Sequence, residues 1–254
     1  MTSSNLHVTN SEFQIQSSER KAAIMTTAVN LLDPSPILVD RVHEQLVLAI
    51  TARRLEPGAR IRQAELAHQL GVSRQPVSHA LQLLKKQGLV QETGRKGLEV
   101  TPLNPDHIRN LYQVRGALDT LAARLAAERI RAGQVSRLER QELERSVKNG
   151  LALDPDTDAI DFVLADVGFH NLIYRMSGNP GIMDTLEPQI PHIMRSMHVV
   201  LMAMHVRTQS DRVWAEHAAI ADAVLAGDVT RAADAAFAHA DKAGRTTEQH
   251  LRSA

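Results

Sequence analysis

A sharp turn between two short helical segments restricts the fold of this 254-residue chain more than any other feature. Apolar spacing predicts helices over Gln63–Leu70 and Arg74–Gln87, joined by Gly71-Val72-Ser73. The glycine accepts the left-handed backbone that such a turn needs, and the serine is a good N-cap. Pro76 falls in the first turn of the second helix, where a missing N–H costs nothing, and Val77 packs that helix against the first. The pattern is typical of a DNA-binding helix-turn-helix.

The leading end of the second helix carries side chains that can read base edges. Arginine can grip guanine and glutamine can grip adenine in the major groove. After Gly88 the sequence predicts two short strands, Leu89–Glu92 and Leu98–Thr101, whose basic connecting turn would form a wing against phosphate or the minor groove. The alternative is a plain helical hairpin with ordinary polar surface residues. The predicted DNA contacts are Arg62, Ser73, Arg74, Gln75, Ser78, Arg95, Lys96 and Gly97.

The composition predicts that the rest of the chain consists of helices packed on helices. Aromatic residues make up only 3% of the chain, whereas sandwiches and barrels are rich in aromatic and β-branched residues. Apolar spacing predicts helices near 105–131, 134–149, 157–177, 180–206, 211–226 and 228–250, with breaks that include Gln209-Ser210. Pro188 and Pro191 should bend the fourth of them. We therefore predict a mainly α fold, with an N-terminal winged helix-turn-helix followed by an all-helical effector-binding bundle of six or seven helices.

Composition and charge also predict where the parts of the chain begin and end. We expect a mobile tail over 1–34, a DNA-binding domain over 35–102, a linker over 103–106 and a helical ligand-binding domain over 107–250. Residues 37–102 have a net charge of +4 and the residues after them a net charge of −3, which suits DNA binding by the first part. The chain has no cysteine and no apolar run long enough to span a membrane. We expect a cytoplasmic protein without disulfides, thiolate metal sites or cysteine nucleophiles.

Four polar residues fall where the helical spacing predicts burial. Asp166 and His170 are four residues apart on one helix, and His217 and His239 each share the apolar face of a later helix. A buried carboxylate is costly unless it is paired or bound to a metal. One carboxylate with three imidazoles is a sensible ligand set for zinc, nickel, manganese or iron. The alternative is that each histidine is a satisfied core or interface residue.

Ordered motifs in both parts of the chain resemble the GntR family of regulators. The DNA-binding part contains Leu55-Glu-Pro-Gly-Ala-Arg-Ile, Leu70-Gly-Val-Ser-Arg-Gln-Pro-Val and Leu84-Lys-Lys-Gln-Gly-Leu-Val. From about His107 the chain resembles the helical effector domain of the FadR subfamily in its metal-containing FCD version, with the landmarks Val114-Arg-Gly-Ala-Leu-Asp and Glu216-His217-x2-Ile220. Ser78-His79 stands where family members usually carry Arg-Glu, which implies a different or looser operator preference.

The resemblance implies a ligand-responsive regulator with one divalent metal ion. Zinc is expected before nickel, manganese or iron, and the family's ligand positions fall on Asp166, His170, His217 and His239. It also implies that the helical domain carries the contacts of a homodimer, which would read a two-fold symmetric operator.

Arg115 lies on the inward stripe of the first helix of the helical domain. It can form an ion pair with Asp119 four residues later, or it can grip the carboxylate of a ligand. We expect a small carboxylate or hydroxy acid as effector, bound at the metal with Arg115 at its other end.

The predicted function is a sequence-specific transcription regulator, a repressor, and not an enzyme. A metal-dependent hydrolase or lyase is the first alternative, but no HExxH motif or obvious carboxylate base accompanies the four candidate ligands. A structural protein that does not bind DNA is the second, and Arg74 with the basic wing argues against it.

Overall fold

The computed structural model describes residues 36–94, 97–154, 156–203 and 206–253. The predicted tail over 1–34 and the predicted wing residues Arg95 and Lys96 lie outside the described residues.

The first part of the described chain is a three-helix unit followed by a two-stranded sheet. Its elements are α1 (Pro36–Thr51), α2 (Gln63–Leu70), α3 (Arg74–Lys86), β1 (Val90–Thr93) and β2 (Gly97–Val100). Gly71 ends α2 in the left-handed conformation, with φ at 66°, as the sharp turn requires. The strands are antiparallel, with Val90 opposite Val100, and both of these side chains are buried. Together these elements form a winged helix-turn-helix.

The second part is a bundle that contains seven helices within the described residues. They are α4 (Pro105–Arg131), α5 (Arg137–Leu151), α6 (Ala159–Ser177), α7 (Pro180–Leu186), α8 (Ile190–Ala203), α9 (Val206–Leu225) and α10 (Val229–Ser253). The mainly α fold class is confirmed. Within the described ranges, none of the helices combines the length and apolar character needed to cross a membrane.

Several predicted boundaries differ from those observed. The helix predicted near 105–131 is observed over Pro105–Arg131, so Pro105 and Asp106, which the domain bounds placed in the linker, form the first turn of α4, with Asn104 as its N-cap. The predicted helix 180–206 is interrupted by a 3-10 turn at Glu187–Gln189, because Pro188 lacks the N–H that a continuous helix needs. The predicted break at Gln209-Ser210 is wrong, since α9 runs through both residues, neither of which is a proline or glycine.

Small residues allow the bundle helices to approach closely. Gly116 of α4 faces Ala240 of α10, and a Cβ atom added at Gly244 would lie 2.7 Å from that of Tyr112, so these two helices run in opposite directions. A Cβ atom added at Gly150 would lie 2.0 Å from the ring of Trp214, which is buried in the hydrophobic core. The core therefore depends on glycine and alanine at the helix crossings.

The helix α8 contacts both parts of the chain, and residues 39–254 form one compact unit. His192 Nε2 lies 2.7 Å from the backbone oxygen of Gln87, at the C-terminal end of α3. Arg195 Nη2 donates to the backbone oxygen of Thr101, just after β2, at 2.5 Å. On α8 between these two residues, Ile193 packs against the start of α4. Thus α8 joins the winged helix-turn-helix to the bundle.

Candidate metal centre and DNA-binding surface

The bundle brings Asp166, His170, His217 and His239 together from three helices. Helix α6 supplies the first two residues, α9 the third and α10 the fourth. One potential ligand atom from each residue lies within 4.8 Å of the others, and all four side chains are buried. The i,i+4 spacing puts Asp166 and His170 on one face of α6, while apolar neighbours turn His217 and His239 inward.

Several buried polar atoms in this cluster lack a hydrogen-bond partner among the described residues. They are Asp166 Oδ2, His170 Nε2 and both ring nitrogens of His217. His217 Nε2 does lie 3.3 Å from Asp166 Oδ1. A buried donor or acceptor without a partner costs about 1–3 kcal/mol, so a cluster without a bound ligand would lower the stability of the folded protein. A divalent cation would satisfy these atoms, and one carboxylate with three imidazoles is a suitable donor set. The residues present could therefore hold a metal ion.

Burial sets the protonation of the two central histidines. It lowers the pKa of His217 to about 4, although Asp166 acts in the opposite direction. It also lowers the pKa of His170 well below its ordinary value, with help from the nearby Arg115. Burial alone would raise the pKa of Asp166, but attraction from His217 and Arg115 leaves it below its ordinary value. At neutral pH Asp166 is thus a carboxylate, and His170 and His217 are neutral imidazoles, which are the protonation states in which these groups bind cations.

Arg115 is buried beside the cluster and has two carboxylates within reach. Its Nε donates to Asp119 Oδ2 at 3.2 Å, and its Nη2 lies 3.9 Å from Asp166 Oδ2. The other oxygen of Asp119 accepts from the hydroxyl of Tyr174 at 2.5 Å. The ion pair with Asp119 that the sequence suggests is present, and it leaves Nη2 of Arg115 directed towards the cluster.

A cavity of about 60 Å³ lies against the cluster and is large enough for several water molecules. Its polar lining includes Tyr112, Arg115, Asp166, Arg212, His239 and Thr247, and Met197, Val200 and Leu201 of α8 form an apolar wall. A concave, mostly apolar space with a few convergent polar groups is the usual form of a small-molecule site, and this partly open cavity has that form.

Sequence reasoning did not identify Glu216 as part of this site. His239 Nδ1 lies 2.9 Å from Glu216 Oε2, and Lys242 Nζ donates to Glu216 Oε1 at 2.5 Å. These contacts hold the pKa of the Glu216 carboxyl at about 2, against the opposing effect of burial. The only sequence signal was the position of Glu216 next to His217, which does not show that its side chain reaches α10.

The predicted base-reading residues lie at the beginning of α3. Arg74 and Gln75 are its first two residues and are exposed, while Ser78 is half-buried. Ser73 has the extended backbone of an N-cap, but its side chain makes no capping hydrogen bond, contrary to the prediction of a good N-cap. The hydroxyl of an exposed serine here is available for other contacts.

Two further predicted DNA contacts lie outside α3. Arg62 immediately precedes α2 and pairs with Glu65 at 2.8 Å, with both side chains exposed. Gly97 begins β2 opposite Thr93, where a Cβ atom would lie 2.5 Å from the threonine hydroxyl oxygen. A glycine is thus required at this end of the strand pair.

Two family descriptions match this chain. Residues 38–100 match “Bacterial regulatory proteins, gntR family”, and residues 110–242 match “FCD domain”. The two matches follow each other along the chain in the same order as the winged helix-turn-helix and the bundle.

Individual relatives agree with these matches. “Uncharacterized HTH-type transcriptional regulator YdhC” of Bacillus subtilis (strain 168) is 30% identical over 156 residues. The match covers 61% of this chain and 66% of that protein, which is just under two thirds of its length. “Putative L-lactate dehydrogenase operon regulatory protein” of Escherichia coli (strain K12) is 27% identical over 229 residues, covering 80% of this chain and 83% of that protein. The solved structure “E. coli McbR/YncC” has the same fold, with a TM-score of 0.71 at 19% identity over 84% of this chain and 97% of that chain.

Proposed function

The chain belongs to the GntR family of bacterial regulatory proteins with an FCD domain, and is thus a DNA-binding transcription regulator and not an enzyme; we propose that a small organic acid controls it. The protein would act as a homodimeric repressor on a two-fold symmetric operator. The acid would bind at a divalent metal held by Asp166, His170, His217 and His239. The observation that carries this proposal is the buried cluster, with its unpartnered polar atoms, against a small cavity bordered by Arg115.

The metal would supply positive charge and a coordination position for an oxygen of the acid. Zinc is the first candidate, with nickel, manganese or iron as alternatives. The buried imidazoles of His170 and His217 are already neutral at pH 7, so they bind a cation without first losing a proton.

Arg115 would hold the other end of the acid. Its guanidinium is buried and lines the cavity, and it stays charged because neighbouring carboxylates, chiefly Asp119, raise its pKa against the effect of burial. A charged guanidinium in a largely apolar space binds a carboxylate through short, charge-assisted hydrogen bonds. The small cavity favours an acid of few carbon atoms. The name of one relative refers to an L-lactate dehydrogenase operon, and lactate is a small hydroxy acid of the proposed class.

Helix α8 would carry the signal from the cavity to the DNA-binding part. One face of α8 lines the cavity with Met197, Val200 and Leu201. Elsewhere on α8, His192 and Arg195 contact backbone oxygens of the winged helix-turn-helix. A shift of this rigid helix on ligand binding would therefore alter the spacing of the two recognition helices in a dimer. A ligand can shift DNA binding only if it binds the protein more tightly at one spacing of the recognition helices than at the other. A tens-fold effect on DNA binding needs about 2 kcal/mol of coupling free energy between the two sites.

DNA reading would fall to the beginning of α3 and to the wing. Arg74, Gln75 and Ser78 would contact base edges, with Ser73 and Arg62 beside them. Arg95 and Lys96, which lie outside the described residues, would contact phosphate next to Gly97.

The test begins by selecting bound sequences from random DNA with the full-length protein. A panel of small carboxylic and hydroxy acids is then measured for its effect on binding to the selected DNA. Calorimetry compares wild type, metal-stripped protein and Arg115→Ala, with Arg124→Ala as the control because Arg124 is an exposed arginine on the same helix. We expect one class of acid to bind the wild type and Arg124→Ala but not the other two. An acid that binds equally to all four proteins would place the effector elsewhere.

A further inference from the structure

The ring of His239 is held by a hydrogen bond that the other two imidazoles of the cluster lack. Its Nδ1 lies 2.9 Å from Glu216 Oε2. By comparison, His170 Nδ1 is 3.7 Å from the nearest oxygen of Asp119, and neither nitrogen of His217 has a hydrogen-bond partner among the described residues. One histidine of the set is therefore oriented from outside the cluster.

The chemistry of this contact fixes which nitrogen faces the cluster. A carboxylate can only accept hydrogen bonds, and Glu216 forms an ion pair through its other oxygen with Lys242, so its oxygen facing His239 is an acceptor. Nδ1 of His239 must then carry the hydrogen and donate it. In the neutral ring Nε2 is left with its lone pair, and Nε2 is the nitrogen available to the cluster.

Lys242 completes the arrangement by holding the second oxygen of Glu216. Its Nζ donates to Glu216 Oε1 at 2.5 Å, and it lies on α10, three residues after His239. Glu216 itself lies on α9, directly before His217. Hence one turn of α9 supplies a cluster residue and also supports the cluster residue on α10.

We propose that Glu216, braced by Lys242, is a positioning residue of the metal site, which sets the tautomer and ring orientation of His239. This inference rests on the proposed function, because the proposed function assigns a metal ion to the cluster. Carboxylates that accept the second N–H of a ligating histidine commonly change metal affinity by 10–100-fold, because they pre-orient the ring and make it more basic. Glu216 is only half-buried, so its removal should leave the core intact.

The first measurement is Zn²⁺ affinity, by competition with a chelator, on protein without a histidine tag. Glu216→Leu should bind Zn²⁺ about 10–100-fold more weakly than wild type. Glu216→Gln should fall between them, since its amide oxygen can still accept from Nδ1, and Lys242→Met should show a smaller loss. Glu142→Leu is the matched control, because Glu142 is a similarly exposed glutamate in an ion pair with Arg175 in the same bundle. Equal Zn²⁺ affinity in wild type and Glu216→Leu would overturn the proposal.

The second measurement is the tautomer of His239 in metal-free protein, from the ¹⁵N chemical shifts of its ring. Wild type should show the hydrogen on Nδ1, and Glu216→Leu should show a mixture of tautomers. A purely structural role for Glu216 would leave this ratio unchanged, and that result would also overturn the proposal. If wild type binds no divalent metal, the proposed function is wrong, while the tautomer ratio still decides whether Glu216 orients His239.

Discussion

The buried imidazole of His217 makes the metal-free protein sensitive to acid. Burial lowers the pKa of His217 to about 4 in the folded chain, against 6.5 for an ordinary histidine. Between these values the unfolded chain binds a proton that the folded chain does not, so stability falls as pH decreases through this range. Integrated from pH 7 to pH 5, the difference corresponds to about 2 kcal/mol lost from the free energy of unfolding. The lowered pKa of His170 acts in the same direction.

Urea denaturation of the metal-free protein at pH 7 and pH 5 measures this loss. His217→Leu should be less stable than wild type at pH 7, because Asp166 loses its neighbour, but should lose about 2 kcal/mol less on acidification. His68→Ala is the control, since His68 is an exposed histidine on α2. Equal stability of wild type at the two pH values, or an unchanged pH dependence in His217→Leu, would refute the reasoning.

Four further outcomes test other parts of the molecule. Arg74→Ala should weaken binding to the selected operator by about 1–3 kcal/mol and barely affect random DNA, and an equal loss on both would contradict base reading. Untagged protein should contain near one equivalent of divalent metal and His239→Ala almost none, whereas full occupancy in the variant would remove His239 from the ligand set. Arg195→Met removes a hydrogen bond worth about 1.5–3 kcal/mol. It also removes a buried charge: burial lowers the pKa of Arg195 from 12.5 to about 10, which corresponds to a destabilisation of about 3 kcal/mol. Its melting temperature should therefore change little while the effect of the acid on DNA binding falls, and a midpoint lowered by roughly 10 °C or more would contradict this balance. Gly150→Ala should destabilise the bundle by about 1–3 kcal/mol or more in chemical denaturation, because the added methyl overlaps the ring of Trp214, and unchanged stability would show that the ring can move.

Local sequence patterns were sufficient to predict the turn of the helix-turn-helix and a distortion at Pro188 within the predicted helix 180–206. Gly71 and Pro188 act within one or two residues of their own position, so their effect can be read without knowing the rest of the fold. Ser136 and Glu139 form a capping box at the beginning of α5. It starts α5 at Arg137 instead of residue 134, and its Ser-x-x-Glu spacing was visible in the sequence.

The candidate site could be predicted only in part, because its contacts combine local spacing with distant pairings. Helical spacing put the four cluster residues on inward faces, and the structure brings them together. No spacing shows that Glu216 reaches His239 across 23 residues, or that Tyr174 donates to Asp119 across 55. These pairings depend on which helices become neighbours and on how each is rotated, which one sequence without tertiary contacts does not specify.

The joint between α8 and the winged helix-turn-helix has a consequence for how such regulators diverge. His192 and Arg195 contact backbone oxygens of Gln87 and Thr101, and a backbone oxygen is present whatever side chain occupies the position. The side chains proposed to read bases at the start of α3 can therefore be exchanged during evolution without disrupting this joint. A duplicated gene could acquire a new set of target promoters while keeping its response to the proposed effector. Conversely, changes in the cavity could alter which acid the proposed site binds, while the set of regulated genes stays the same.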